Sequence, residues 1–260
     1  MSQLQHITSR DNPVLQRLRK LSQDGGAYRK LGSVWLEGDH LVRACLQRNY
    51  PVTLAVMTEA AAQDSVLRAL ADAAPRQLVV PTALFKTISG LESPAQIGFE
   101  VPHDAAQRID PAVDTVILDR LQDAGNVGTI LRSAGAFGFK QILALKGTAA
   151  LWSPKVLRAG MGAHFGLRLI EGLGPADLDG LQLPLIATSS YAEKQLHQLS
   201  LPRPCAWVMG HEGQGVQAEL MQRCRLTVGI PQPGGEESLN VGSAAAICLY
   251  ESARQRLTVA

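Results

Sequence analysis

Residues 230–251 read IPQPGGEESLNVGSAAAICLYE, and the rest of the chain is organised around them. Pro231, Pro233, Gly234 and Gly235 open the stretch, which rules out regular helix or central strand there. Ser238, Leu239 and Asn240 then lead into an unbroken run of small and apolar residues. The pattern predicts a rigid loop feeding the first turn of a buried helix, with free backbone N–H groups and polar side chains at the junction. Two readings of that junction stand side by side. In one, Ser238 is simply the N-cap of a packed C-terminal helix; in the other, the loop holds a ligand.

Composition sets the bounds. The chain has 260 residues, 46% hydrophobic and 18% charged, with a mean hydropathy of +0.03. That is a globular chain, long enough for one large domain or two ordinary ones. The net charge is +2, yet residues 1–50 hold eight Lys and Arg against four Asp and Glu. A basic patch at one end points toward a polyanion. Cys45, Cys205, Cys224 and Cys248 show no CxxC spacing, which predicts reduced thiols and neither a disulfide framework nor a metal site. The polar start MSQLQHITSRDN lacks the apolar core of a signal peptide, and no run of about 18 apolar residues suggests a membrane span. The expected location is the cytoplasm.

Outward from the opening stretch, the chain alternates strand and helix patterns. Residues 12–31 begin as an amphipathic helix, capped by Asp11 or Asn12 with Pro13, and broken at Gly25 and Gly26. SVWLEG, VTLAVMT, QLVVPT and AQIGFEV read as strands with helices between them, one spanning about 60–73. Glu100 to Val113 is polar, aperiodic and carries two prolines, so it reads as a linker. The predicted domains are 1–105 and 112–260. In the second, TVILD, QILAL, LRLIEG, PLIATSS, CAWVMG and RLTVGI are strands, RLQDAGNVG is a loop and TILRSAGAFGF a helix. This alternation predicts an α/β fold with a mostly parallel sheet, whose ligands lie at the carboxyl ends of strands. The loops after Asp119, Thr188, Met209 and Ile230 are therefore the places to look.

Three of these loops carry chemistry. In NVGTILRSA (126–134), Gly125 and Gly128 bracket the turn; Arg132 is either a solvated residue on an amphipathic helix or, given its apolar neighbours, points into a cleft, and the dinucleotide fingerprint is not met. VMGHEGQGV (208–216) places three glycines after an apolar strand, so that a flat ligand can approach the backbone. His211 and Glu212 suggest HExxH, but position 215 is Gly, and the metal reading fails. Glu212 is either an exposed loop carboxylate or an acceptor that orients another group. The third loop is the opening stretch, and Thr188 with Ser189 forms a weaker fourth element.

NVGTILRSAGAFGF, VMGHEGQGV and IPQPGGEESLNVGSAAAICLYE, in that order, resemble the SpoU (TrmH) family of RNA ribose methyltransferases over residues 115–257. SRDNPVLQRLRKL and VWLEGDHLVRACL look like the smaller RNA substrate-binding domain of many members, although AQIGFEV departs from the usual PQG-type ending. The resemblance implies a SPOUT-type parallel-sheet domain with a deep trefoil knot, against the general rule that excludes knots. It also implies a smaller L30e-like α/β domain before the knotted one, and a homodimer.

The implied reaction is methyl transfer from S-adenosylmethionine to a ribose 2′-hydroxyl of structured RNA, ribosomal ahead of transfer RNA. Thr188, Gly210, Ile230 and Leu239 would hold the cofactor. Asn126, Arg132, Glu212, Ser238 and Asn240 would form the catalytic set. Because a free guanidinium keeps its proton, Arg132 is expected to stabilise the alkoxide and grip a phosphate rather than act as a base. Arg10, Asn12, Arg29 and Lys30 lead the candidates for RNA contact, with Arg17 and Arg19 behind them. Gly242 stands where many relatives have Ser. A catalytically idle RNA-binding protein on the same scaffold, a transfer RNA methyltransferase and a related knotted enzyme that methylates a base rather than a ribose are the alternatives.

Overall fold

The apolar runs TVIL, LIAT and AWVM become adjacent parallel strands, and the loops of interest leave from their carboxyl ends. The structure is a computed structural model that describes residues 3–235 and 238–257; Glu236 and Glu237 of the opening stretch lie outside the described residues. The chain forms two compact units. The first comprises residues 1–106 with 152–165, and the second residues 107–151 with 166–260.

The first unit holds β1 (Gln3–His6), α1 (Pro13–Gln23), α2 (Ala27–Leu31), β2 (Ser33–Glu37), α3 (Asp39–Gln47), β3 (Leu54–Thr58), α4 (Glu59–Gln63), α5 (Ser65–Ala71), β4 (Arg76–Val80), α6 (Thr82–Thr87) and β5 (Ile97–Pro102). Its sheet order is β1-β4-β3-β5-β2, with β5 antiparallel to both of its neighbours. Asn12 caps α1 by accepting from the Val14 N–H at 2.9 Å. The single helix expected over 60–73 is two short ones. Asp64 ends α4 with extended backbone and starts α5, accepting from Val66 and Leu67.

The second unit holds β6 (Thr115–Leu118), α7 (Ala124–Ala136), β7 (Gln141–Leu145), β8 (Arg168–Leu173), β9 (Leu185–Thr188), β10 (Ala206–Met209), α9 (Ala218–Arg223), β11 (Leu226–Val228) and α10 (Val241–Leu257). Between β7 and β8, α8 (Pro154–Gly160) packs within the first unit, whereas the sequence division placed 152–165 in the second. Ser153 caps α8 as the Ser-Pro pair suggests, accepting from Val156.

The second sheet runs β11-β9-β10-β6-β7-β8, and every pair is parallel. Its central strands are buried along their length, as expected of a parallel sheet covered on both faces. Alternation assigns the faces. Ile117, Leu143, Ala206 and Val208 join one core cluster with Leu220, while Trp207 points to the other side. There its indole N–H donates to Ser252 Oγ of α10 at 2.9 Å. Chain order reverses direction at β6, so the crevice predicted for such sheets opens beside β6 and β10. No helix among the described residues is long and apolar enough to cross a membrane.

Close packing in the first sheet generates a test. A Cβ on Gly98 of β5 would lie 2.4 Å from ring carbons of Trp35 and 2.8 Å from the Leu36 carbonyl oxygen. Gly98→Val is expected to destabilise the first unit by about 1–3 kcal/mol. Urea unfolding followed by tryptophan fluorescence checks this; an unchanged midpoint would show that the sheet relaxes freely around the new side chain.

Candidate functional site

Helix α7 begins earlier than its glycines suggested. Asp123 accepts from the Asn126 N–H at 2.7 Å and so caps the helix, which places Gly125, Asn126 and Gly128 inside it rather than in a turn. The cap fixes where the Asn126 side chain goes. Its Nδ2 donates to Glu212 Oε1 at 3.2 Å, and its Oδ1 accepts from Asn240 Nδ2 at 2.9 Å. Asn240 in turn caps α10. Its Oδ1 accepts from the N–H groups of Gly242 (2.9 Å) and Ser243 (3.2 Å), and its carbonyl accepts from Ala244. The expected cap at Ser238 is therefore two residues too early, and Ser238 is exposed.

Glu212 closes the line. Besides Asn126 it accepts from the backbone N–H groups of Gln122 (3.3 Å) and Asp123 (3.1 Å). Burial opposes its charge, but hydrogen bonds from its own backbone N–H, Asn126, Asp123 and Gln122 outweigh that. The carboxyl stays below the usual glutamate range. Of the two readings of Glu212, the acceptor that orients another group is the one the geometry carries. Three segments distant in sequence thus meet through three polar side chains.

The glycine loop is folded tightly on itself. His211 and Gly215 exchange backbone hydrogen bonds of 3.1 and 2.9 Å, and Gly215 has φ +68°. A Cβ on Gly210 would lie 2.3 Å from the Gly215 carbonyl carbon and the Val216 nitrogen, so only glycine fits there. His211 Nδ1 accepts from Gly213 and Gln214, which puts its ring proton on Nε2.

Beneath the loop, the fully buried Asp119 accepts from the Gln217 N–H at 2.7 Å and from Arg120 Nε at 2.8 Å. Arg120 also donates to Gln214 Oε1 at 3.1 Å. Sequence reasoning missed Asp119 and Asp123 as functional positions. A lone carboxylate closing an apolar strand, and an Asp just before a helix, were the available signals.

A cleft of about 590 Å³ opens beside this loop, lined among others by Thr188, Tyr191, Glu212, Ile230, Ser238 and Leu239. Three of the four loops expected to hold a ligand supply its lining; the loop after Asp119 reaches it only through the Gln122 and Asp123 N–H groups that donate to Glu212. Gly210 lies at the root of the loop, below the wall. Arg132 is absent from the lining. It is exposed and shares its helical face with the exposed Thr129 and Ala136, while the apolar residues of α7 turn inward. The expectation that Arg132 points into a cleft thus fails within the described residues. Gly242 leaves room for Thr129 of α7: a Cβ would meet the Thr129 Cγ2 at 3.2 Å.

Within the first unit, Arg10, Arg29 and Lys30 are exposed, and Arg29 also lies over the Tyr28 ring at 5.0 Å. The side-chain oxygen of Asn12 is committed to its cap. Arg17 and Arg19 are engaged internally, with Glu100 (2.6 Å) and with the Thr87 carbonyl (3.2 Å) and hydroxyl (3.0 Å), respectively. Among the described residues no group of three His, Cys, Asp or Glu is placed to hold a metal ion.

An uncharacterized tRNA/rRNA methyltransferase of Synechocystis sp. is 35% identical, over 98% of this chain and 96% of its own length. The 23S rRNA (guanosine-2′-O-)-methyltransferase RlmB of Bordetella pertussis is 31% identical, over 85% of this chain and 97% of its own. The structure of an AdoMet-bound rRNA methyltransferase from Sinorhizobium meliloti superposes with a TM-score of 0.83 at 26% identity, covering 98% of both chains. Residues 114–250, which contain all three loops, match the SpoU rRNA Methylase family, and the chain belongs to that family.

Proposed function

We propose that this protein transfers the methyl group of S-adenosylmethionine to a ribose 2′-hydroxyl of ribosomal RNA. The observation that carries this reading is the hydrogen-bonded line Glu212–Asn126–Asn240 beside a cleft of about 590 Å³. Relatives of nearly full length act on 23S rRNA at a guanosine 2′-hydroxyl, by their names.

The cleft suits the cofactor. Its volume lies within the ordinary range of ligand sites, about 300–1,000 Å³. Ile230 and Leu239 offer apolar walls, Thr188 and Ser238 offer hydroxyls, and the glycine loop rooted at Gly210 brings backbone groups to the surface. Bound there, the cofactor would supply a sulfonium methyl already activated for transfer. The protein's remaining tasks are alignment and one proton.

Glu212 and Asn240 hold the Asn126 amide, and Ser238 faces the reacting ribose. The Arg132 guanidinium grips the phosphate beside the target ribose and stabilises the alkoxide that forms as the hydroxyl proton passes to solvent water. Since Arg132 does not line its own chain's cleft, the homodimer expected for the family can supply it from a second copy. Arg10, Asn12, Arg29 and Lys30 offer the RNA further contacts in the first unit. The knot belongs to this reading as well, and the strand order β11-β9-β10, which takes the chain across β9 after β10, supports it. Four free cysteines suit a reducing cytoplasm.

Loss of one 2′-O-methyl site on deleting the gene, mapped across total RNA, is the expected result. No change, together with no binding of radiolabelled S-adenosylmethionine, would favour the idle RNA-binding scaffold. Arg132→Lys keeps the charge but loses the planar fork, and is expected to lower kcat/KM about 10²-fold. Near-normal turnover would remove Arg132 from the proposed role.

Asn240 permits a separation of duties. Asn240→Asp keeps the capping oxygen but loses the donor to Asn126, whereas Asn240→Ala loses both. The alanine variant is expected to cost about 1 kcal/mol of stability and the aspartate variant little, with methyl transfer impaired in both. Full activity in Asn240→Asp would show that the bond to Asn126 is dispensable.

Glu212 sets a pH dependence. Its folded-state pKa is depressed, so its stabilising contribution is complete above the ordinary glutamate value and is lost as pH falls toward the folded one. The difference in urea midpoint between the native protein and Glu212→Gln should therefore shrink on acidification through that range. A difference that stays constant would show that the charge is immaterial.

A further inference from the structure

The loop after β9 carries the most exposed of the large hydrophobic side chains, Tyr191, at 94% relative exposure. The backbone around it is pinned. Ser189 N–H donates to the Val228 carbonyl (3.0 Å), Gly229 N–H to the Lys194 carbonyl (2.8 Å) and Leu196 N–H to the Gly229 carbonyl (2.9 Å). Both ends of the loop are thus tied to the chain leaving β11. Within it, the Ser189 hydroxyl accepts from the Tyr191 N–H at 3.2 Å. An anchored loop that turns an aromatic ring outward presents a stacking face with little ordering cost.

The surroundings specify what would stack there. A second groove of about 340 Å³ is lined by Tyr191, Lys194, Arg225 and Thr227, with Glu193 its one carboxylate. Ser189 and Tyr191 line both this groove and the cleft already described, so the two are continuous. Lys194 and Arg225 are exposed, and neither has an ion-pair partner among the described residues. An outward aromatic ring between the cleft and these two cations has the makings of a single-stranded nucleic-acid platform, in which a base stacks and the backbone phosphates meet the cations.

We infer that Tyr191 stacks on an unpaired base of the RNA next to the nucleotide presented to the cleft, while Lys194 and Arg225 hold that strand's phosphates. This rests on the reading of the cleft as a methyl-transfer site and adds to it: the substrate must expose an unstacked nucleotide flanking its target. Tyr191 is here a substrate-positioning residue, outside the reacting set.

The test uses the full chain and an in vitro transcript of large-subunit ribosomal RNA, with binding and methyl transfer measured separately. Tyr191→Ala is expected to weaken transcript binding about five- to a hundredfold, while Tyr191→Phe stays near the native value because the ring remains. The dissociation constant for S-adenosylmethionine should be unchanged in Lys194→Ala and Arg225→Ala, whose positions do not line the cleft. Lys194→Ala and Arg225→Ala should each flatten the slope of log affinity against log salt by about 0.7.

Native protein with no affinity for the transcript would overturn the inference. So would unchanged affinity in Tyr191→Ala, or weaker cofactor binding with RNA binding intact, which would make the ring part of the cofactor site. If the native protein binds the transcript and transfers no methyl group while Tyr191→Ala still binds weakly, the platform stands and the reading of the cleft falls.

Discussion

The side-chain amide of Asn240 is the constraint on which the rest of the second unit's site depends. Its oxygen satisfies two backbone N–H groups at the start of α10, and its nitrogen donates to Asn126 on α7. One planar group therefore decides both where the last helix begins and how the loop before it meets the first helix of the sheet. Capping groups of this kind contribute about 1 kcal/mol to stability. Here the same atoms also set a geometry, because Asn240 occupies the Asn126 amide oxygen and so turns the Asn126 amide nitrogen toward Glu212.

Around that amide the structure divides its work between rigid and polar parts. The central parallel strands are buried along their length and hold the loops at their carboxyl ends. Asp119, buried at the end of β6, takes the Gln217 N–H and the Arg120 guanidinium, and so ties down the far side of the glycine loop. A buried carboxylate is tolerable only when it is satisfied in this way. The loop is consequently fixed at both margins, by Asp119 on one side and by Glu212 against the start of α7 on the other.

Much of this was legible in the sequence, and the misses have physical causes. The strands were readable because buried parallel strands are short apolar runs bounded by polar loops, and the family resemblance rested on three separated motifs. The start of α7 is hidden because its first five residues contain two glycines, which disfavour helix by propensity; the Asp123 cap and close packing override that preference. Ser238 is a cap in one of the two readings of its junction; Asn240 is an equally good cap by residue type, and only the hydrogen bonds single it out. Arg17 and Arg19 looked like phosphate ligands because a sequence cannot show that Glu100 and Thr87, far along the chain, lie beside them. The apolar neighbours of Arg132 favour the cleft reading over a solvated one, but they occupy the opposite side of the helix.

The allocation of residues 152–165 was invisible for a similar reason: α8 carries an ordinary cap and an ordinary apolar face, and nothing local says which unit it covers. Its placement has a consequence for how the chain is made. Leu151, Trp152, Val156 and Leu157 are buried, and from Trp152 onward the segment belongs to the first unit. As the polypeptide emerges from the ribosome, the first unit cannot finish assembling when residue 106 appears. It must wait until α8 has been synthesised, by which time β6, α7 and β7 of the second unit are already exposed. Domains usually complete themselves in order during synthesis. In this chain the N-terminal unit is begun first and closed only after its successor has been started.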